Sequence, residues 1–174
     1  HPTHATALLG RCPELMVRGI QAGSELTDLM ARASVVVLGP GLGQSDWSRM
    51  LFDHVIETDT KSAQSMVVDA DGLNLLAQRP ERRDSWVLTP HPGEASRLLG
   101  RSTRSIDRFA DIARIQSEYG GVVVLKGVGS LVADGEKLSL CPYGNPGMAT
   151  AGMGDILSGI IAALLAQAES LGLT

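Results

Sequence analysis

Apolar positions along this chain gather into short runs set between loops of Gly, Pro, Asp and Asn. Ser34-Val-Val-Val-Leu38, Met66-Val-Val-Asp69, Trp86-Val-Leu88 and Gly121-Val-Val-Val-Leu125 are compact, largely β-branched and bounded by turn residues. Uniformly apolar runs of this length read as strands buried on both faces. Helical spacing predicts helices between them, from Ser45 to about Glu57 with Ser45 or Asp46 as cap, and from Asp71 to Gln78, stopping near Pro80. Two more follow over Glu94–Leu99 and Ser105–Tyr119. Ser130–Ala133 and Lys137–Cys141 flank Asp134-Gly135, a hairpin signal. The run Ile156 to Leu165 reads as a buried final helix.

Strands alternating with helices predict an α/β fold, a mostly parallel sheet sandwiched by helices, with an antiparallel hairpin. The 174 residues suffice for one domain with a sizeable core. Aromatic residues are only 3%, so that core must be Val, Leu, Ile, Ala and Met, which suits a parallel sheet. A net charge of -4 without a basic stripe argues against a nucleic-acid partner. No apolar run is long enough to cross a bilayer, and no signal peptide opens the chain. Cys12 and Cys141 lie far apart and read as reduced thiols of a cytoplasmic protein. His1 and His4 have H-x-x-H spacing, but at a terminus expected to fray.

Ligands of open α/β sheets bind beyond the carboxyl ends of the strands. The loops expected there are 39–43, 69–74, 89–94 and 126–130, all rich in Gly, Pro, Asp, His or Lys. Gly39-Pro-Gly-Leu-Gly43 has neither dinucleotide-fingerprint nor Walker A spacing; it is a tight turn or a ligand loop. In Asp69-Ala-Asp-Gly-Leu-Asn74, Asp71 is a natural helix N-cap, while Asp69 or Asn74 could reach a ligand or a metal-bound water. Prolines on both sides fix the backbone around His91, at a strand end where a ligand would pass. Glu94 is a first-turn acid, or a carboxylate that holds Mg²⁺ through water. Lys126-Gly-Val-Gly-Ser130 offers a cation, two glycines and a hydroxyl, suited to phosphate, or else is a plain strand connection. Asn145-Pro-Gly-Met-Ala-Thr-Ala-Gly-Met-Gly-Asp155 runs straight into the final helix. Free N–H groups at a helix start, approached through bare glycine, suit a phosphate, with Asp155 placed to act as a base.

Together these motifs, with Pro13-Glu-Leu-Met-Val17, resemble the ADP-dependent NAD(P)H-hydrate dehydratases of the ribokinase-like superfamily. The matching segments run in family order across most of the chain. The resemblance implies repair of the S-epimer of hydrated NADH and NADPH, driven by ADP or ATP with Mg²⁺. It implies substrate contacts from Gly41, Gly43, Asn74, His91 and Asp155, with Asp155 catalytic. It implies nucleotide contacts from Lys126, Gly127, Val128, Gly129 and Ser130, and from Asn145, Gly147, Met148, Ala149, Thr150, Gly152, Met153 and Gly154. A homo-oligomer, fused to or paired with an NAD(P)H-hydrate epimerase, is implied as well. An earlier glycine-rich βα portion and a longer C-terminal end belong to the family pattern and have no counterpart here, so residues 1–174 read as one incomplete dehydratase domain. The rival readings are a superfamily kinase for a hydroxymethylpyrimidine or thiazole, and a nucleotide-binding piece without activity.

Overall fold

The computed structural model describes residues 1–59, 64–102 and 106–172. Two compact units emerge, residues 1–33 with 45–62, and residues 34–44 with 63–174.

The first unit is helical. Helix α1 spans Pro2–Arg11, a 3₁₀ turn spans Gly23–Leu26, α2 spans Thr27–Met30 and α3 spans Asp46–Asp59. The chain start is therefore a helix rather than a frayed end. Pro2 is pre-organised for a first helical position, and the His1 ring accepts the Thr3 N–H. Ser45 caps α3 by accepting the Ser48 N–H. Within this unit the Trp47 indole donates to the Ile20 carbonyl, and Glu25 closes the 3₁₀ turn by accepting the N–H groups of Gln21 and Ala22.

The second unit holds a six-stranded sheet in chain order: β1 (Val35–Leu38), β2 (Ser65–Val68), β3 (Trp86–Leu88), β4 (Val122–Leu125), β5 (Ser130–Ala133) and β6 (Leu138–Cys141). Strands β1 to β4 are parallel, while β5 and β6 form the antiparallel hairpin. At its turn the Asp134 carboxylate accepts the N–H groups of Glu136 and Lys137. The centre of the sheet is dry: Met66, Val67, Val68, Leu88 and Val123 have no exposed surface. That is the burial on both faces that their β-branched, uniformly apolar runs require. Helix α4 (Asp71–Gln78) connects β2 to β3, and helices α5 (Pro92–Leu98) and α6 (Arg108–Tyr119) connect β3 to β4. Helix α5 packs on both α4 and α6. The expected start of α6 at Ser105 falls outside the described residues; within them, the Asp107 carboxylate caps the helix.

Helix α7 (Met153–Ser170) packs on β1 and β2. Contrary to its apolar sequence, it is not a buried helix, and Ser158 alone among its residues is buried. The sheet covers one face, and Ile156, Ile160 and Leu164 lie along the uncovered stripe. No helix among the described residues is long and apolar enough to cross a membrane.

Candidate functional site

The carboxyl ends of β1 to β4 carry four of the loops singled out in the sequence. Their meeting point is Asp69, at the end of β2 and 1% exposed. One carboxylate oxygen accepts from the Lys126 ammonium at 2.7 Å and from the Ala70 N–H at 2.8 Å. The other accepts the Ser158 hydroxyl at 2.7 Å. Burial alone raises the pKa of Asp69, but the Lys126 and Ser158 hydrogen bonds and the Lys126 charge outweigh it and hold the carboxyl below its ordinary value. Asp69 is thus satisfied inside the protein rather than offered to a ligand.

The first turn of α7 lies over this ion pair. A Cβ on Gly154 would stand 3.3 Å from the Lys126 Nζ and 3.7 Å from an Asp69 oxygen. A partly buried ammonium and a helix N-terminus therefore converge on one spot, with Gly154 bare between them. Gly152 occupies the N-cap in the left-handed region (φ 86°), and no side chain caps the helix. The Met153 N–H turns back to the Thr150 carbonyl, and among the described residues the N–H groups of Gly154 and Asp155 have no acceptor, as anion sites require. Asp155, the third helical residue, is exposed beside them.

Pro92 starts α5 two residues earlier than its apolar spacing suggests, because His91 caps it. The His91 Nδ1 accepts the N–H groups of Gly93 and Glu94, and a Glu94 oxygen accepts the His91 N–H at 2.7 Å. This reciprocal box makes Nδ1 an acceptor, so neutral His91 carries its proton on Nε2. Glu94 is buried, with Lys126 4.0 Å away. Burial raises its pKa, opposed by the His91 N–H and the Lys126 charge. The acid read as a first-turn residue is a capping partner turned inward, which leaves a cation reachable only through water. Among the described residues, no group of three or more His, Cys, Asp or Glu could hold a metal ion.

Loops 39–43 and 69–74 cross backbone on backbone. A Cβ on Gly39 would fall 1.8 Å from the Asp69 carbonyl oxygen, and one on Gly72 would fall 2.5 Å from that of Leu38. These two glycines are bare so that the chain can pass itself. Gly41 differs, since a Cβ there would meet nothing within 4 Å. Asp71 is not the N-cap of α4. Ala70 takes that position at φ 49°, a strained angle for a residue with a side chain. Asp71 instead binds the Gly43 N–H at 2.9 Å and also accepts from Gln44 and Asn74. It ties the 39–43 loop to α4, and this tether outcompetes local capping. Asn74 is held from its other side by Arg97 at 2.8 Å.

Lys126 is not the exposed lysine of a plain connection; its side chain is 19% exposed and paired. Beyond it, Gly127 and Gly129 adopt positive φ and Val128 projects into solvent. Arg108 supports this turn from α6, donating to the carbonyls of Val128 and Leu125. Ser130 folds back onto the Gly127 carbonyl. Asn145 accepts the Gly147 N–H at the start of a 3₁₀ turn, Pro146–Met148, and residues 142–152 are exposed.

Of the residues expected to bind ligand, the structure brings together Lys126, Gly154 and Asp155, and separately groups Gly43 with Asn74. Ser158, Arg97 and Arg108 hold these residues in place, as partners of Asp69, Asn74 and the 126–130 turn, and the sequence reading missed them. Ser158 falls four residues after Gly154, one helical turn on, which is the signal that could have found it. Nothing in the local sequence marks the two arginines.

A family profile described as NAD(P)H-hydrate dehydratase matches residues 1–173. The chain is 54% identical over 98% of its length to the bifunctional NAD(P)H-hydrate repair enzyme Nnr of Coxiella burnetii, of which it spans 35%. It thus spans about a third of that curated relative. Among solved structures, a ribokinase-like superfamily protein of Enterococcus faecalis is 33% identical with a TM-score of 0.80, covering 93% of this chain and 57% of that one. The ADP/ATP-dependent NAD(P)H-hydrate dehydratase of Bacillus subtilis, co-crystallised with ATP and Mg²⁺ and soaked with CoA, is 26% identical with a TM-score of 0.67. That match covers 92% of this chain and 59% of the other.

Proposed function

We propose that this chain, which belongs to the NAD(P)H-hydrate dehydratase family, is the core of an enzyme that dehydrates the S-epimer of NAD(P)H-hydrate at the expense of ADP. The observation that carries the reading is the convergence of the Lys126 ammonium and the uncapped first turn of α7 at Gly154, beside Asp155.

Hydroxide is a poor leaving group and phosphate a good one. Asp155 accepts the proton of the substrate hydroxyl as that oxygen attacks the terminal phosphoryl group of ADP. The products of this step are the phosphorylated hydrate and AMP. The ring-nitrogen lone pair then expels phosphate, a ring proton is lost, and NAD(P)H is restored. Lys126 and the free N–H groups of Gly152 and Gly154 stabilise the charge spread over the phosphoryl oxygens. Gly127 to Ser130 and Asn145 to Met153 hold the nucleotide, and Gly41, Gly43, Asn74 and His91 face the hydrate. Mg²⁺ would neutralise part of the phosphate charge, and Glu94 is the carboxylate that would hold it, through water. The enzyme is taken as cytoplasmic and homo-oligomeric, with residues 1–174 one ribokinase-like domain that works with an epimerase.

The test is turnover of NADH-hydrate and NADPH-hydrate with ADP and with ATP, read as recovered absorbance of the reduced nicotinamide and as phosphate release. Recovery that depends on the nucleotide is expected. A stable phosphorylated product without recovery would identify a kinase instead, and nucleotide binding without any chemistry would reduce the chain to a binding module.

Gly154→Ala separates binding from folding. Gly154 has no positive φ, so alanine suits its helical position and stability should hold or rise. The added methyl presses on the Lys126 ammonium, so ADP affinity is expected to fall about tenfold in a titration. Unchanged ADP affinity would place the phosphates elsewhere.

A further inference from the structure

Outside the phosphoryl site, the described residues enclose a polar cleft of about 370 Å³ between α4 and the end of α5. Its polar lining is Gln44, Asn74, Gln78, Arg97 and Arg101. Two guanidiniums facing one cavity ask what anion they serve. Arg101 is ion-paired with Asp111. Arg97 donates to the neutral Asn74 carbonyl, and among the described residues no carboxylate lies within ion-pair distance of it. Asp71, joined to it through Asn74, already accepts from Gly43, Gln44 and Asn74, and Glu94, which feels the Arg97 charge without an ion pair, already accepts the His91 N–H. Arg97 therefore keeps its charge and most of its donors for an outside partner.

Its placement connects the cleft to the substrate-facing loops. Side chains on a helix lean toward its N-terminus. Arg97 follows that rule, and its Nη2 reaches within 4.0 Å of a Cβ built on Gly93, two residues from His91. Through Asn74 and Asp71 it is joined to the Gly43 N–H. The guanidinium is thus held in one orientation by a relay that starts at the 39–43 loop.

We infer that Arg97, with Arg101 and the amides of Gln44 and Gln78, forms a phosphate subsite for the dinucleotide substrate, apart from the donor phosphates at α7. This rests on the NAD(P)H-hydrate reading. A guanidinium fork pairs with phosphate oxygens in two parallel hydrogen bonds, whereas amide donors add reach without charge. The dinucleotide offers two such groups, the diphosphate bridge and, in the NADPH form, a 2′-phosphate.

The experiment measures binding of NADPH, NADH and ADP to the chain and to its Arg97→Ala, Arg97→Lys and Gln78→Glu variants. NADPH serves as the stable counterpart of the hydrate. Arg97→Ala is expected to weaken NADPH about 10- to 100-fold and to leave ADP within twofold. Arg97→Lys keeps the charge but not the fork, and falls between. Gln78→Glu adds a negative charge to the cleft, giving up only a long hydrogen bond to Gln44 and leaving the direct Arg97–Asn74–Asp71 bonds in place, and should weaken the same ligands. Equal loss for NADH and NADPH assigns the subsite to the diphosphate, and loss for NADPH alone assigns it to the 2′-phosphate. Unchanged NADPH and NADH affinity in Arg97→Ala and Gln78→Glu overturns the subsite. So does an equal loss of ADP, which would move these residues to the donor site or to the fold. A wild-type chain that binds ADP but neither reduced dinucleotide overturns the substrate reading itself, and the subsite with it.

Discussion

Asp155→Asn lowers turnover of the hydrate by about 10²- to 10⁴-fold, the range expected when a positioned proton acceptor is lost. The exchange keeps the size of the side chain and its place on α7, so stability should scarcely change. Asp155 is exposed in the first turn, and among the described residues its side chain has no hydrogen-bonded partner to strand. Nucleotide affinity should hold or improve, because a negative charge beside the phosphates is removed. The combination of collapsed kcat, intact fold and intact ADP binding is what distinguishes a base from a residue that only favours a helix start. Near-native turnover would remove Asp155 from the chemistry and leave it as an acid placed by the helix dipole.

Lys126→Met produces two losses. The first is stability, about 3 kcal/mol, because Asp69 keeps a buried negative charge without its cation. The Ser158 hydroxyl and Ala70 N–H remain, which puts the loss at the low end of the range for a broken buried pair. The pH dependence identifies the cause. In the wild-type protein the folded pKa of Asp69 is depressed, so its contribution is present above the unfolded value, near 3.8, and is lost as pH falls through the folded one. Without the ammonium, burial dominates and the folded pKa rises instead. Ionised Asp69 then opposes folding. The stability gap between wild type and variant should be widest near neutral pH and close only as pH falls below 3.8 and through the depressed folded pKa of wild-type Asp69, beneath which the carboxyl is protonated in both states. Denaturant titrations across that range measure it, and a gap independent of pH would show that packing, not the buried charge, is at stake. The second loss is ADP affinity, since the same ammonium faces the phosphoryl site.

These two residues differ in how far sequence alone reaches them. The position of Asp155 was legible. A glycine run ahead of an apolar helix, with one acid at the junction, places that acid in the first turn of the helix, where it lies. Lys126 was legible as a cation on a glycine turn, but its partner was not. Asp69 lies 57 residues away, and the pairing exists because β2 and β4 flank β3 in one sheet and end on the same edge. Asp71 illustrates the converse. Local preference names it an N-cap, yet the loop passing overhead supplies a better donor in Gly43, and Ala70 is left to carry the strained turn.

By itself, the sequence determined the α/β order, the parallel core and the hairpin. These follow from the periodicity of apolar residues and from turn chemistry, both of which act over a few residues. It also determined which loops would gather at the carboxyl edge of the sheet, because the order of strands and helices fixes that edge. Only the tertiary structure decided which charges neutralise one another. It turned Asp69 and Glu94 inward, left Arg97 without an ion pair among the described residues, and divided the glycines of one motif between Gly39, which lets the chain cross itself, and Gly41, which faces open space. Those choices depend on distances between segments far apart along the chain, and folding is what sets them.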